Sequence, residues 1–395
     1  MPLDHLNVID GGHSSVRLVP ETLGGSAMKI SRLARDGQNK SLWSKAYSIT
    51  SSFCKYFLAA RPPPFPVLTV PFLFDPISKC PPSSCGTLHQ PMQSPIAIDL
   101  HWGGRPRAIA SALLRSSGFV ALIDPGPATT LETLRRQLER QGLRISDLNA
   151  ILLTHIHLDH AAATGALVRE NPRLIVYVHE RGAAHMMDPG KLLDSASRLY
   201  GEDLQRLFGE FLPVPPENLR TMNGGERISL GSRQLHVLYT PGHASHHVTY
   251  FDPLDSTAFV GDTTGISIDG NPFVLPVTPP PDLSIELWDA SLDAIAGLHP
   301  KRLFLTHFSF SDNPAVHIES YRRRLHRWHD TSAKLFDSNV DDSVAMHRFS
   351  KEVAAEAAQF LSPEDLAHYL HNGALDLSWL GLARYHRKRA KAPAQ

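Results

Sequence analysis

The run Ala150-Ile151-Leu152-Leu153-Thr154-His155-Ile156-His157-Leu158-Asp159-His160 constrains this chain more than any other stretch. Its four leading apolar residues read as a buried strand. Three imidazoles and a carboxylate follow directly, within positions 155–160. In His155-x-His157, alternate residues leaving a strand point the same way, so two rings can converge on one ion. Asp159 and His160 follow in a tight loop and can serve a second ion beside it. Imidazole with carboxylate suits Zn²⁺, Fe or Mn. A lone buried histidine is more often a hydrogen-bonded core residue. Four donors crowded at one strand end favour ligation.

The same grammar recurs downstream. "LYTPGH" runs a strand into a Pro-Gly turn at His243, "AFVGD" ends at Asp262, and "LFLTH" ends at His307. Each places a ligand-type side chain where an apolar strand stops, which is where sites gather in α/β sheets.

Around these motifs the pattern is that of a compact α/β domain. "IAIDLHW" alternates as a strand, and two apolar runs flank a hairpin at Ser116-Ser117-Gly118. A helix closes at Gly142, and "NAILL" and "LIVYVH" are buried strands. Residues 180–212 read as helical, and the stretch 178–213 is an insertion able to cap a metal cleft through His179, His185, Met186, Met187 or Tyr200. A hairpin turns at Gly231-Ser232, "HVTYFD" and "TAFVGD" are short strands, "LSIELWDASLDAIAGL" is an amphipathic helix, and "RLFLTH" reads as the last strand. The proline-rich loop 263–282 forms another wall. Beyond about residue 312 only helices are expected, one starting at Ser362-Pro363-Glu364.

Residues 1–92 read differently. The proline-rich "RPPPFPVLTVPFLFDPISKCPPSSC" blocks regular elements, and the segment is expected to be disordered or a non-native extension. The expected division is 1–92, a catalytic domain over 93–312, and a helical region over 313–392.

Bulk composition narrows the partners. Lys plus Arg equals Asp plus Glu at 39 each, so no global field favours nucleic acid or an anionic membrane. There are 22 histidines against three cysteines, a balance that suits imidazole chemistry and gives no disulfide framework. No apolar run approaches the roughly 18–20 residues of a membrane span. The expectation is a cytoplasmic protein acting on a small molecule, with no nucleic-acid or membrane partner. The C-terminal layout admits a homodimer.

The order His155-x-His157-x-Asp159-His160, His243, Asp262, His307 resembles the metallo-β-lactamase superfamily, over about residues 94–312. The resemblance implies a four-layer αβ/βα sandwich with metals at one edge, extended here by C-terminal helices. It implies two divalent ions, most simply zinc: His155, His157 and His243 on the first, Asp159, His160 and His307 on the second, and Asp262 bridging. Aspartate at the bridging position resembles the glyoxalase II, lactonase and phosphodiesterase branches. Asp124 in "LIDPG" matches the family's strand-end Asp-x-Gly and would orient a ligand imidazole from behind. His247 is either a similar supporting donor or a surface residue at a strand start.

The chemistry so implied is hydrolysis of an ester, thioester or lactone by a metal-bridging hydroxide, with Asp159 and Asp262 as catalytic carboxylates. A phosphodiesterase or nuclease is the alternative, encouraged only by "YRRRLHRW" and the basic tail "RYHRKRAKAPAQ". A di-iron redox protein ranks lower, because no flavin motif and no cysteine accompany the ligands. A scaffold without catalysis ranks lowest, having no use for seven ligands.

Overall fold

The computed structural model describes residues 93–338 and 340–391, and, before residue 93, the backbone pair Val16–Arg17 and Lys29–Ile30. The expectation for residues 1–92 otherwise lies outside the described residues.

The domain is built on two six-stranded sheets. The first takes its strands in chain order: β1 (Ile96–Asp99), β2 (Ala110–Ser116), β3 (Phe119–Ile123), β4 (Ala150–Leu152), β5 (Ile175–His179) and β6 (Leu219–Met222). β1 to β3 are antiparallel, and β3 to β6 run parallel. The β2–β3 turn is Ser117-Gly118, both with positive φ (42° and 79°). Such turns match the right-handed twist of the flanking strands. The second sheet contains β7 (Arg227–Leu230), β8 (Arg233–Tyr239), β9 (Val248–Asp252), β10 (Thr257–Phe259), β11 (Arg302–Leu305) and β12 (Ser309–Ser311). Only β10 and β11 pair in parallel there. Two strands escape the sequence pattern. β6 carries exposed Arg220 and Thr221 between Leu219 and Met222 and is too short to show alternation. β12 follows the apparent last strand by a three-residue turn and has one buried residue.

The sheets face each other through small and aliphatic residues of the first (Ala112, Ala121, Ile123, Leu152) and larger aromatic ones of the second (Tyr250, Phe259, Phe304). The outer face of the first sheet is covered by α1 (Leu131–Arg140), α2 (Leu158–Ala161), α3 (Thr164–Glu170), α4 (Glu180–Met187), α5 (Gly190–Tyr200) and α6 (Asp203–Phe208). The second is covered by α7 (Ile285–Gly297) and by the C-terminal helices α8 (Pro314–Asp337), α9 (Asp342–Ala357), α10 (Pro363–Gly373) and α11 (Leu375–Ala390). The result is a four-layer αβ/βα sandwich in which the C-terminal helices extend one outer layer. Ser362 caps α10 by accepting from the Asp365 N–H at 3.1 Å, at the start marked by Ser-Pro-Glu. None of the described helices is long and apolar enough to cross a membrane.

Two of the contacts that tie the last helices to the rest give measurable expectations. A Cβ at Gly381 of α11 would overlap the Thr278 carbonyl oxygen and press on Pro279. Gly381→Ala is therefore expected to cost about 1–3 kcal/mol or more, as overpacking does, read as a lower denaturant midpoint. An unchanged midpoint would mean that α11 sits off this loop. His317 of α8 is buried, and its Nε2–H donates to the Thr264 carbonyl at 2.9 Å. Burial disfavours the charged ring and lowers it from 6.5 to about 4, despite that bond. As pH falls through this window the unfolded chain takes a proton that the fold refuses. Stability present above the free value is thus lost on acidification, by up to about 3 kcal/mol. His317→Gln keeps a donor but cannot titrate, so its stability should fall less between about pH 7 and pH 4.5 in urea titrations. Equal losses in both proteins would contradict this.

Candidate metal centre

Every strand-end donor singled out in the sequence lies at one edge of the sandwich. β3, β4, β8, β10 and β11 deliver Asp124, the 155–160 loop, His243, Asp262 and His307 from their C-terminal ends. Regular pairing of β4 stops at Leu152, so His155 and His157 lie beyond the strand, His157 on extended backbone at the start of α2, and Asp159 and His160 occupy the first turn of that helix.

Two groups of donors form there, with the ligating atoms of each within 4.8 Å of one another: His155, His157, His243 and Asp262, and Asp159, His160, Asp262 and His307. Asp262 belongs to both. Its Oδ2 lies 3.3 Å from His243 Nε2 and 3.9 Å from His155 Nε2. Its Oδ1 lies 3.2 Å from His160 Nε2 and 3.5 Å from His307 Nε2. Asp159 Oδ2 approaches His307 Nε2 at 3.3 Å and His160 Nε2 at 3.6 Å.

The backs of the rings decide which nitrogens face inward. His243 Nδ1–H donates to the Val277 carbonyl at 3.0 Å, and His307 Nδ1–H to the Ala108 carbonyl at 2.9 Å. His160 Nδ1 donates to Asp124 Oδ2 at 2.9 Å. Thr154 Oγ1 donates its single proton to Asp124 Oδ2 at 2.7 Å, so at 3.1 Å it accepts from His155 Nδ1–H. Each of these rings therefore turns Nε2 toward the cluster, and in the neutral form that atom is a lone pair. His157 turns Nδ1 inward, 3.0 Å from His155 Nε2 and 2.9 Å from His243 Nε2. Three ring nitrogens meeting lone pair to lone pair is an arrangement a cation stabilises. His160 Nε2 and Asp262 Oδ1 are buried without a hydrogen-bond partner. A buried polar atom so left costs about 1–3 kcal/mol unless something coordinates it. The donor set fits metal ions.

Electrostatics separate the two groups. Burial pushes His155 well below the ordinary histidine value, brings His157 to about 3 and lowers His243. These rings are neutral, the form that ligates. Burial acts the same way on His160 and His307, but the facing Asp262 and Asp159 outweigh it, and both are raised. Burial opposes ionisation of Asp159 too, yet the His160 ring pulls its carboxyl down to about 2. Burial opposes ionisation of Asp262 as well, but His160 and His307 hold its carboxyl well below the ordinary carboxylate range.

Asp124 anchors the edge from beneath. It adopts a left-handed φ of 51°, a conformation aspartate tolerates better than most residues. It is fully buried and accepts from the Thr154 N–H at 2.8 Å and from the Thr306 hydroxyl at 3.0 Å, besides Thr154 Oγ1 and His160. The two threonines were missed in the sequence, although "LTH" precedes both His155 and His307. His247 is buried behind the cluster. Its Nε2 accepts from the Asp262 N–H at 3.2 Å and its Nδ1 meets the Thr240 and Thr263 hydroxyls at 3.1 Å. The ring open to the cleft is its neighbour His246.

A cleft of about 360 Å³ lies over the donors. The 178–213 insertion supplies one wall, with Leu192, Leu199, Tyr200 and Phe208 as apolar surface and Arg181 and Lys191 as cations. Of the other side chains it offered, His185 reaches the cleft, Met186 is core, Met187 is on the surface, and His179 stacks on Tyr239 with centroids 4.7 Å apart. Val277 and Pro279–Pro281 form a second wall. The α10–α11 junction (His371, Asn372, Leu377) completes the cleft, a contribution for which the sequence carried no sign.

Comparison with known proteins agrees with this architecture. The family model described as the metallo-beta-lactamase superfamily matches residues 104–307, over half of the chain. A metallo-beta-lactamase fold-containing protein of Sulfurisphaera tokodaii is 28% identical over 166 residues, 41% of this chain and 61% of that one. A hydroxyacylglutathione hydrolase of Buchnera aphidicola is 28% identical over 151 residues, 38% of this chain and 45% of its own length. The chain thus spans less than two thirds of these relatives. In fold it is similar to a metallo-beta-lactamase family protein of Thermus thermophilus, with TM-score 0.57, 19% identity, and 75% of this chain and 93% of that one covered. With sandwich, strand-end donors and family model in agreement, this chain belongs to the metallo-beta-lactamase superfamily, whose members are mostly metal-dependent hydrolases.

Proposed function

We propose that this protein is a dinuclear metal-dependent hydrolase of an ester, thioester or lactone. The observation that carries the proposal is the division of Asp262, one oxygen toward each group of histidines. Bound at these residues, divalent cations, most simply zinc, would supply polarisation of a substrate carbonyl and acidification of a water. His155, His157 and His243 would hold one ion, and Asp159, His160 and His307 the other. Asp159 is the more open of the two carboxylates, with 26% of its side chain exposed against 3% for Asp262. It orients the attacking water and accepts a proton from it, then returns that proton toward the leaving group. Asp124 and His247 hold His160 and Asp262 in place. The apolar cleft walls exclude water from the acyl side.

The thioester option draws support from the relatives that are hydroxyacylglutathione hydrolases. The nuclease alternative draws less. In "YRRRLHRW", Arg322 pairs with Asp289 and Asp293, and Arg324 and Arg327 both pair with Glu356. A panel of thioesters, lactones and phosphodiesters on the zinc- and iron-loaded protein tests the proposal. Turnover of an acyl substrate by the zinc form is expected. Cleavage of phosphodiesters alone would replace this reading.

A further inference from the structure

Trp102 lines two depressions at once, the cleft over the donors and a second, open groove of about 500 Å³. Leu207 lines the groove and its neighbour Phe208 lines the cleft. The Trp102 indole N–H donates to the Leu207 carbonyl at 2.7 Å, and its ring stacks on Phe208 with centroids 5.8 Å apart.

The groove is cationic. Arg136 and Arg140 reach it from one face of α1 and Arg206 from α6, and among the described residues no acidic side chain lines it. Gly103 and Gly104, at positive φ, leave bare backbone along it, where an added Cβ would touch nothing. The existing ion pairs are local and exposed: Arg136 with Glu132 at 3.6 Å and Arg206 with Asp203 at 2.9 Å, each within one helical turn. Such pairs are weak and yield readily to a multiply charged ligand. Three guanidinium forks in one groove match phosphate oxygens, which they bind bidentately. A single carboxylate would leave most of that volume and charge unused.

We propose that this groove binds phosphate groups on the leaving half of the substrate while the apolar cleft holds the acyl half. The substrate class is then an acyl thioester or ester of a phosphorylated thiol or alcohol, its linker passing over Trp102. The water oxygen bonds to the acyl carbon, and the carbon–sulfur or carbon–oxygen bond breaks with its electron pair on the leaving atom. One water proton goes to that atom and the other is released from the new acid. The substrate assignment rests on the hydrolase proposal; the phosphate site does not.

Two measurements separate them. The first compares turnover of an acyl-coenzyme A with that of the same acyl group on N-acetylcysteamine and on glutathione, in the wild type and in Arg136→Gln/Arg140→Gln/Arg206→Gln. The expected result is a wild-type preference of tenfold or more in KM for the coenzyme A thioester, which the triple variant loses. Equal KM values in the wild type, or a preference the variant keeps, would overturn the proposal. The second is calorimetric binding of adenosine 3′,5′-bisphosphate, which has phosphates but neither thiol nor acyl group. Binding that weakens tenfold or more in the variant, and in raised salt, supports the groove even if no thioester is hydrolysed. Failure then falls on the hydrolase proposal alone. Absent or variant-independent binding overturns the groove. A matched melting temperature shows that the exposed substitutions leave the fold intact.

Discussion

Asp262→Asn is expected to abolish most turnover while leaving the sandwich folded. The side chain is nearly isosteric, and the backbone N–H of residue 262 still donates to His247 Nε2. The lost element is the charge that faces His243 through one oxygen and His160 through the other. Neither ion would retain its shared ligand, so bound metal should fall below two per chain. The loss in kcat/KM should exceed the roughly 10–100-fold that follows removal of a ligand's supporting partner. Metal analysis and turnover on the same preparation check this. Full activity with two ions retained would remove Asp262 from the bridging role.

The second large effect is expected at a residue that touches no substrate. Asp124→Ala strips acceptors from the Thr154 N–H, both threonine hydroxyls and His160 Nδ1, all in a fully buried site. Removing one side of a buried charged network costs about 3–5 kcal/mol, so the denaturant midpoint should drop markedly. His160 also loses the partner that fixes its tautomer, and metal affinity should fall about 10–100-fold in chelator competition. If the double variant with Thr306→Val loses far less than the two single changes together, the network acts as a unit. Unchanged affinity in Asp124→Ala would mean that His160 is oriented some other way.

How much of this was legible beforehand follows from the range of each interaction. The donors of the 155–160 loop are local in sequence, and a buried strand announces where they emerge. His243, Asp262 and His307 were readable because each closes an apolar run, although their meeting depends on sheet order. The helical insertion showed its periodicity but not which face would line the cleft: Tyr200 reaches it, and Met186 is core. His247 could be placed near the site but not oriented, since its burial depends on packing beneath Asp262. The supporting carbonyls of Ala108 and Val277 carry no side-chain signature at all. β6 was missed because its pairing with β5, across some forty residues of chain, specifies it more than its own composition does. The place of His371 and Leu377 at the cleft depends on α11 packing against the Thr278 loop through Gly381, a contact no pattern announces.

The most direct measurement is anomalous diffraction from crystals of the zinc-saturated protein. Two peaks about 3.5–4 Å apart are expected, one within reach of His155, His157 and His243 and the other of Asp159, His160 and His307, with Asp262 touching both. A single peak, or zinc bound only away from these side chains, would contradict the dinuclear centre.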